Sequence, residues 1–537
     1  MVKRQFVSLE RYHFANRQEG SVTTLPGRSL NPSDTVPLYR HLYEHLRASI
    51  LGGQVSAGTR LPSTRALAAQ MGVSRNTVLA AFEQLHAEGY LEGRLGSGTY
   101  VARTLPEELL AAGPQTPATS GALPAAPRAS GPARRLSERG ERIATGARTP
   151  LPALSGRSAD QRAFTIGLPD LDAFPWDVWA RLLARRMRES PRHLMRYSHP
   201  AGYLPLRHAI AAHLATARGV RCTAEQVIIV TGSQQALDLC ARLLLDPGDP
   251  AWIEDPGYLG ARAALAAAGA ELVPVPVDDE GLDVASGKGS SPDARLAVVT
   301  PSHQFPLGVT MSLSRRLALI DWAHGTGSWV VEDDYDAEFR YVGKPLTALQ
   351  GIDEWGCVIY VGTFSKVLFP GLRLGYLVAP PQLVDPFIAA HLATDMHAHM
   401  LEQAVLSDFI QDGQFERHLR RMRVLYAERQ AILVAAVRRE LEGIVDVNPS
   451  DNGLHLIGWL APGLEDGMVA REAADNGVDV WPLSLHSLRP YPRAALLLGY
   501  ASLTPLEIHV GVQRLARALS SVGGSAGCRA GCGQSLE

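Results

Sequence analysis

The chain has 537 residues, 46% of them hydrophobic and 20% charged, with Lys+Arg 52 against Asp+Glu 54. This ordinary globular balance excludes a wholly disordered chain, leaves room for several compact units, and confines any nucleic-acid surface to a local patch. No apolar run is long enough to cross a bilayer, and the charged start Met1–Glu10 has no apolar stretch behind it, so neither a transmembrane helix nor a secretory signal is read. Residues 1–35 carry no sustained period and read as a loose arm.

Residues 36–103 are patterned. Pro37 opens a helical period with Leu38, Leu42, Leu46 and Ile50 on one face, and Gly52-Gly53 stops it. Ser63 is placed to cap a second helix through Leu67 and Met71. Ser74 is placed to cap a third, with Val78, Phe82 and Leu85 in helical register. Tyr90-Leu91-Glu92 and Thr99-Tyr100-Val101 read as two short strands around the Gly-rich segment 93–98. The order is that of a winged helix-turn-helix. Its third helix offers Ser74, Arg75, Asn76 and Thr77 at the N-terminus, where such motifs meet base edges and phosphates. Seven Arg against four Glu make this segment basic although the chain is not. The pattern alone also fits a small protein-interaction domain with a solvated polar face.

The residues go further than the pattern. Gly58-Thr59-Arg60-Leu61-Pro62-Ser63-Thr64-Arg65, Val73-Ser74-Arg75-Asn76-Thr77-Val78 and Leu95-Gly96-Ser97-Gly98-Thr99-Tyr100-Val101, behind Pro37-Leu38-Tyr39, resemble the DNA-binding domain of the GntR family. The resemblance implies Arg65 and Arg75 as the main phosphate and base contacts. Asn76 and Thr77 become base or phosphate contacts, and Gly96 the wing residue that enters the minor groove.

Residues 104–160 hold eight prolines among Ala, Gly, Ser and Arg and almost no aromatics. Such a segment buries too little apolar surface to offset its ordering entropy, so a linker is expected. From 161 to 518, short β-branched runs alternate with helical stretches: Val227–Val230, Ala251–Ile253, Leu296–Val299, Trp329–Val331 and Val358–Val361. That pattern predicts a doubly wound α/β domain with buried parallel strands, whose ligand lies beyond their carboxyl ends. Polar residues cluster there. Lys366 follows the last run and is the sole lysine within twenty residues on either side. A lysine so placed can form a Schiff base with an aldehyde, and Asp333 can keep a pyridine nitrogen protonated. Ser233 and Gln234 begin a helix whose N-terminus suits a phosphate, with Thr363, Ser365 and Arg373 to complete the cup. Tyr258 offers an aromatic face. Singly, Lys366 also fits a surface loop and Asp333-Asp334 a helix cap; the spacing Ser365-Lys366 to Arg373 favours a site.

This region resembles fold-type I, class I aminotransferase-like proteins that bind pyridoxal 5'-phosphate. The resemblance implies Lys366 as the Schiff-base lysine, Asp333 as the pyridinium partner and Tyr335 as the phenol near the ring hydroxyl. Tyr258 becomes the stacking ring, and Ser233, Gln234, Thr363, Ser365 and Arg373 the phosphate cup. Tyr197 matches the tyrosine that reaches the partner subunit's phosphate, which implies a homodimer. Two departures stand out. Phe305-Pro306-Leu307-Gly308 replaces Asn-Pro-x-Gly, leaving His303 or Gln304 to substitute for the amide. Leu497 stands where the family's enzymes hold a substrate carboxylate with arginine, with Arg489 and Arg493 as nearby candidates.

Together the two units resemble the MocR/GabR family of transcription regulators. That implies a cytoplasmic, pyridoxal phosphate-dependent homodimer that binds double-stranded operator DNA near its own gene. Its effector would be an amine, an amino acid or the cofactor itself. The alternative is an active aminotransferase with an accessory DNA-binding domain. Residues 519–537 read as a Gly-rich tail; its Cys528 and Cys532 have no His or carboxylate cluster, so no metal site is expected, and five cysteines in all fit a reduced compartment.

Overall fold

A computed structural model of the full chain describes residues 12–15, 22–25, 37–94, 97–105, 135–146, 163–189, 191–343 and 346–530; Gly96 and Cys532 lie outside them. The chain divides into two units, residues 1–132 and 133–537.

In the first unit the expected arm contains two paired antiparallel strands, β1 (Tyr12–Ala15) and β2 (Val22–Leu25). Three helices follow, Leu38–Leu51, Thr64–Met71 and Arg75–Ala87. The second and third begin where the sequence places their caps: Ser63 Oγ accepts from the Ala66 N–H at 3.2 Å and Ser74 Oγ from the Thr77 N–H at 3.1 Å. Leu42, Leu46, Ile50, Leu67, Met71, Val78, Phe82 and Leu85 close one core, whereas Leu38 stays 47% exposed. Strands β3 (Leu91–Arg94) and β4 (Gly98–Val101) pair antiparallel as the wing, and the Arg94 guanidinium lies 4.6 Å above the Tyr100 ring.

The second unit is built on an eight-stranded sheet: β5 (Val227–Val230), β6 (Pro250–Asp255), β7 (Glu271–Asp278), β8 (Gly281–Leu282), β9 (Leu296–Val299), β10 (Trp329–Asp334), β11 (Val358–Thr363) and β12 (Gly375–Val378). Their order is β5-β12-β11-β10-β9-β6-β7-β8. The five expected runs are strands, and those from β11 through β6 run parallel. The sheet is mixed rather than wholly parallel, because β12 inserts antiparallel between β11 and β5. Strands β5, β9 and β11 are buried along their whole length, β5 although it ends the sheet, which their continuous apolar runs anticipate. A second, four-stranded antiparallel sheet holds β13 (Val445–Val447), β14 (His455–Leu460), β15 (Trp481–Pro482) and β16 (Ala495–Gly499), in the order β13-β14-β16-β15.

Two expected boundaries shift. Within the stretch read as linker, Glu138–Gly146 is helical, capped by Ser137 Oγ accepting from the Gly140 N–H at 3.0 Å, and it packs against the helix Leu259–Ala268. A docked, capped turn supplies what its composition does not. At the other end the helix Pro505–Ala530 runs into the stretch read as tail, with Leu519 and Val522 buried.

Candidate functional site

A cavity of about 320 Å³ opens at the carboxyl ends of β5, β10 and β11. Nine of the ten cofactor residues singled out from the sequence line it: Ser233, Gln234, Tyr258, Asp333, Tyr335, Thr363, Ser365, Lys366 and Arg373. Tyr197 does not; it is 85% exposed in the single chain.

Lys366 lies just beyond β11, and its Nζ donates to the Gly167 carbonyl at 2.9 Å. A Cβ on Gly167 would stand 2.4 Å from that nitrogen, and the residue's φ of +72 is left-handed, so the approach requires glycine. Desolvation holds the Lys366 amine below its ordinary value, with Asp336 and Asp333 pulling the other way. Asp333 sits on β10, where alternation turns its side chain to the cavity and those of Glu332 and Asp334 away from it. Burial pushes Asp333 up to about 7, helped by Asp334, Asp336 and Glu254. Its Oδ1 is buried and has no hydrogen-bond partner. Asp334 is no helix cap: it pairs with Arg218 Nε at 2.8 Å and accepts from Tyr360 OH at 2.6 Å, a buried structural contact.

The end of the cavity expected to take a phosphate is equally local in origin. Gly232 precedes the helix Ser233–Leu244, whose first N–H groups face the cavity. Gln234 Nε2 donates to the Gly260 carbonyl at 2.9 Å, tying this turn to the helix Leu259–Ala268. Arg373 enters from the short turn before β12 in a left-handed conformation. Tyr258 and Phe305 meet edge to face, 5.9 Å between centroids.

The two candidates for the missing amide take different places. Gln304 Nε2 donates to Glu254, the Pro256 carbonyl and the Phe305 carbonyl, so it braces the backbone. His303 Nδ1 lies 3.0 Å from Tyr335 OH and 2.9 Å from Asp336 Oδ2, so it reaches the cavity through Tyr335. At the far end, Leu497 is fully buried and stands in register with Trp481. Arg489 lies in a separate hollow beside Asp255, and Arg493 stacks over Trp459. Neither lines the cavity, whose cationic side chains among the described residues are Lys366 and Arg373.

The sequence reasoning did not find Asp336, His455, Trp481 and His486, all of which line the cavity. The last three arrive from the small sheet and the turn between β15 and β16, more than eighty residues from Lys366, and no local signal marks them. In the first unit, Arg65, Arg75 and Asn76 are exposed together at the start of their helices. Ser74 is engaged as a cap, its Oγ also 2.8 Å from Thr77 Oγ1.

The cavity fits pyridoxal 5'-phosphate. The orphaned Asp333 oxygen suits a protonated ring nitrogen, the buried amine of Lys366, its pKa lowered by desolvation, suits an aldehyde, and the helix N-terminus with Thr363, Ser365 and Arg373 suits a phosphate.

The aminotransferase class I and II family matches residues 160–485, and the gntR family of bacterial regulatory proteins matches residues 38–101. The probable rhizopine catabolism regulatory protein MocR of Rhizobium meliloti is 45% identical over 480 residues, 89% of this chain and 93% of its own. The HTH-type transcriptional regulator TauR of Rhodobacter capsulatus is 33% identical, across 91% of this chain and 98% of its own. Among solved structures, LysN, the alpha-aminoadipate aminotransferase of Thermus thermophilus, is 33% identical with a TM-score of 0.63, covering 67% of this chain and 92% of its own. Because whole regulators match both units in one alignment, and the enzyme matches only the second, the chain belongs to the MocR/GabR subfamily of GntR-type transcriptional regulators, with a pyridoxal 5'-phosphate-dependent aminotransferase fold as its second domain.

Proposed function

We propose that the protein senses a primary amine, an amino acid or pyridoxal 5'-phosphate itself, and that occupancy of its cavity changes how a homodimer holds operator DNA beside its own gene in the cytoplasm. The observation that carries this reading is a cavity lined by nine of the ten expected cofactor residues with leucine at position 497, in a chain that also holds a basic winged helix. When bound, the cofactor supplies an aldehyde that captures primary amines. Lys366 would hold it, Asp333 would keep the ring nitrogen protonated, and Tyr335, steadied by His303, would meet the ring hydroxyl. Tyr258 would cover one ring face. Ser233, Gln234, Thr363, Ser365 and Arg373 would hold the phosphate, and Tyr197, exposed here, would reach the other subunit. In the winged helix, Arg65, Arg75, Asn76 and Thr77 would contact DNA, as would Gly96 at the wing.

A ligand shifts such an equilibrium only through different affinity for the two arrangements. The helix Glu138–Gly146 supports a physical route. It packs on Leu259–Ala268, whose first residue lines the cavity and whose Gly260 carbonyl accepts from Gln234. Gel shifts on the upstream DNA, with and without cofactor, test the reading. Loading is expected to change operator affinity and to give a borohydride-sensitive absorbance in the wild type, and to do neither in Lys366→Ala. An identical response from both proteins would refute the assignment of Lys366. The intact Lys366 and Asp333 favour one second reading, an enzyme with an accessory DNA-binding domain. It predicts turnover with a keto acid and only salt-labile, sequence-independent DNA binding.

A further inference from the structure

The third helix of the winged helix, Arg75–Ala87, has two distinct faces. Val78, Ala81, Phe82 and Leu85 are buried in the first unit's core, while Arg75, Asn76, Leu79 and Glu83 form an exposed stripe along the other side. Residues three and four apart share a helix face, so Leu79 stands beside Arg75 and Asn76, one turn further from the helix start. It is 40% exposed and takes no part in that core, whereas Leu85, the other leucine of this helix, is fully buried. A lone exposed leucine on a surface helix usually needs no account. This one occupies the stripe that faces the bases when such a helix enters a major groove, between Arg75 and Asn76 on one side and Glu83 on the other. Glu83 bears the same sign of charge as a phosphate, which confines contact to the first two turns and makes Leu79 the last large side chain within reach.

We propose that Leu79 is a specificity-determining residue that recognises one thymine of the operator by its 5-methyl group. The inference rests on the reading that this helix enters the major groove. There, guanine, cytosine and adenine present only donors and acceptors, and thymine alone adds an apolar group. A leucine side chain neither donates nor accepts. Against a polar base edge it would strip water and return no hydrogen bond, and against a methyl group it gains apolar contact. One helical turn is about 5.4 Å and one base step about 3.4 Å, so this thymine would lie about one or two steps from the base met by Arg75.

The test uses the full-length, cofactor-loaded protein. A bound duplex is first enriched from a random-sequence pool, and each of its thymines is then replaced singly by deoxyuridine, which deletes only the 5-methyl. Dissociation constants are read by gel shift at one fixed salt concentration. At one thymine position the wild type should lose about fourfold in affinity, the value of one buried methyl. Leu79→Ala should bind the thymine duplex more weakly and lose nothing further with deoxyuridine at that position. Leu79→Met keeps an apolar reach and should retain the loss. A merely structural role would weaken every duplex alike and leave the methyl's advantage intact in Leu79→Ala. Absence of any thymine whose methyl affects affinity overturns the inference, as does a methyl effect that survives in Leu79→Ala; both leave DNA recognition standing. A pool that yields no enriched sequence overturns the DNA-binding reading, and this inference with it.

Discussion

Replacing Asp333 by Asn should stabilise the empty protein and weaken the loaded one. In the cofactor-free chain, burial first, and then Asp334, Asp336 and Glu254, lift Asp333 from its ordinary 3.8 to about 7. Between those values the folded group still holds its proton while the unfolded chain has released it. Stability therefore falls as pH rises through that window, and the loss is complete above it. Roughly three pH units at about 1.4 kcal/mol each give a penalty of about 4 kcal/mol as an upper bound. D333N has no charge to desolvate, so its advantage over the wild type should be near zero at about pH 4 and reach a few kcal/mol at about pH 8. With saturating cofactor the order should reverse, since an amide cannot balance a protonated ring nitrogen. Urea unfolding of both proteins, empty and loaded, across that pH range measures this, with tryptophan fluorescence as the probe. A gap that does not change with pH, or an empty variant less stable than the wild type at the alkaline end, would refute the reasoning.

Four further outcomes are expected. Arg218→Ala strands Asp334, since its guanidinium pairs with that carboxylate at 2.8 Å and is 4% exposed. Urea unfolding should show a loss of about 3–5 kcal/mol, and a loss under about 1 kcal/mol would contradict a buried pair. In the winged helix, Ser74→Ala removes a cap and should cost about 1 kcal/mol in the first unit's melting. Arg75→Ala should leave that melting unchanged while weakening operator binding by roughly tenfold, and equal effects on both readouts would deny the separation. Ile143→Pro breaks the helix Glu138–Gly146 at its interior. If that helix relays cavity occupancy, the variant should load cofactor normally yet lose the effector-dependent change in the gel shift; an unaltered response would remove the relay.

Local chemistry explains why so much of the site was readable in advance. Lys366, Asp333, Ser233 and Thr363 each sit at the carboxyl end of a strand that announces itself by a continuous apolar run, so strand and site residue are found together. The caps Ser63 and Ser74 are legible for the same reason: the partner of each hydroxyl is an N–H three residues on. Where a contact spans a longer stretch, the signal fades. Strand β7 was not anticipated, because Pro274 and Pro276 interrupt its alternation while Val273, Val275 and Val277 keep one face buried. Strand β12 was not anticipated either, and its antiparallel pairing with β11 and β5 is visible only in the sheet.

The sequence by itself therefore determined the two-unit plan, the capped third helix of the winged helix, and the lysine, aspartate and helix start that line the cavity, because each is encoded within one strand–loop or cap of a few residues. Only the tertiary structure decided which of His303 and Gln304 supports Tyr335, that Arg489 and Arg493 point elsewhere, and that Trp481, His455 and His486 form the far wall. Those placements depend on the small sheet folding back over the large one. Such long-range packing is set by the summed burial of many side chains, and it leaves no mark at any single position in the chain.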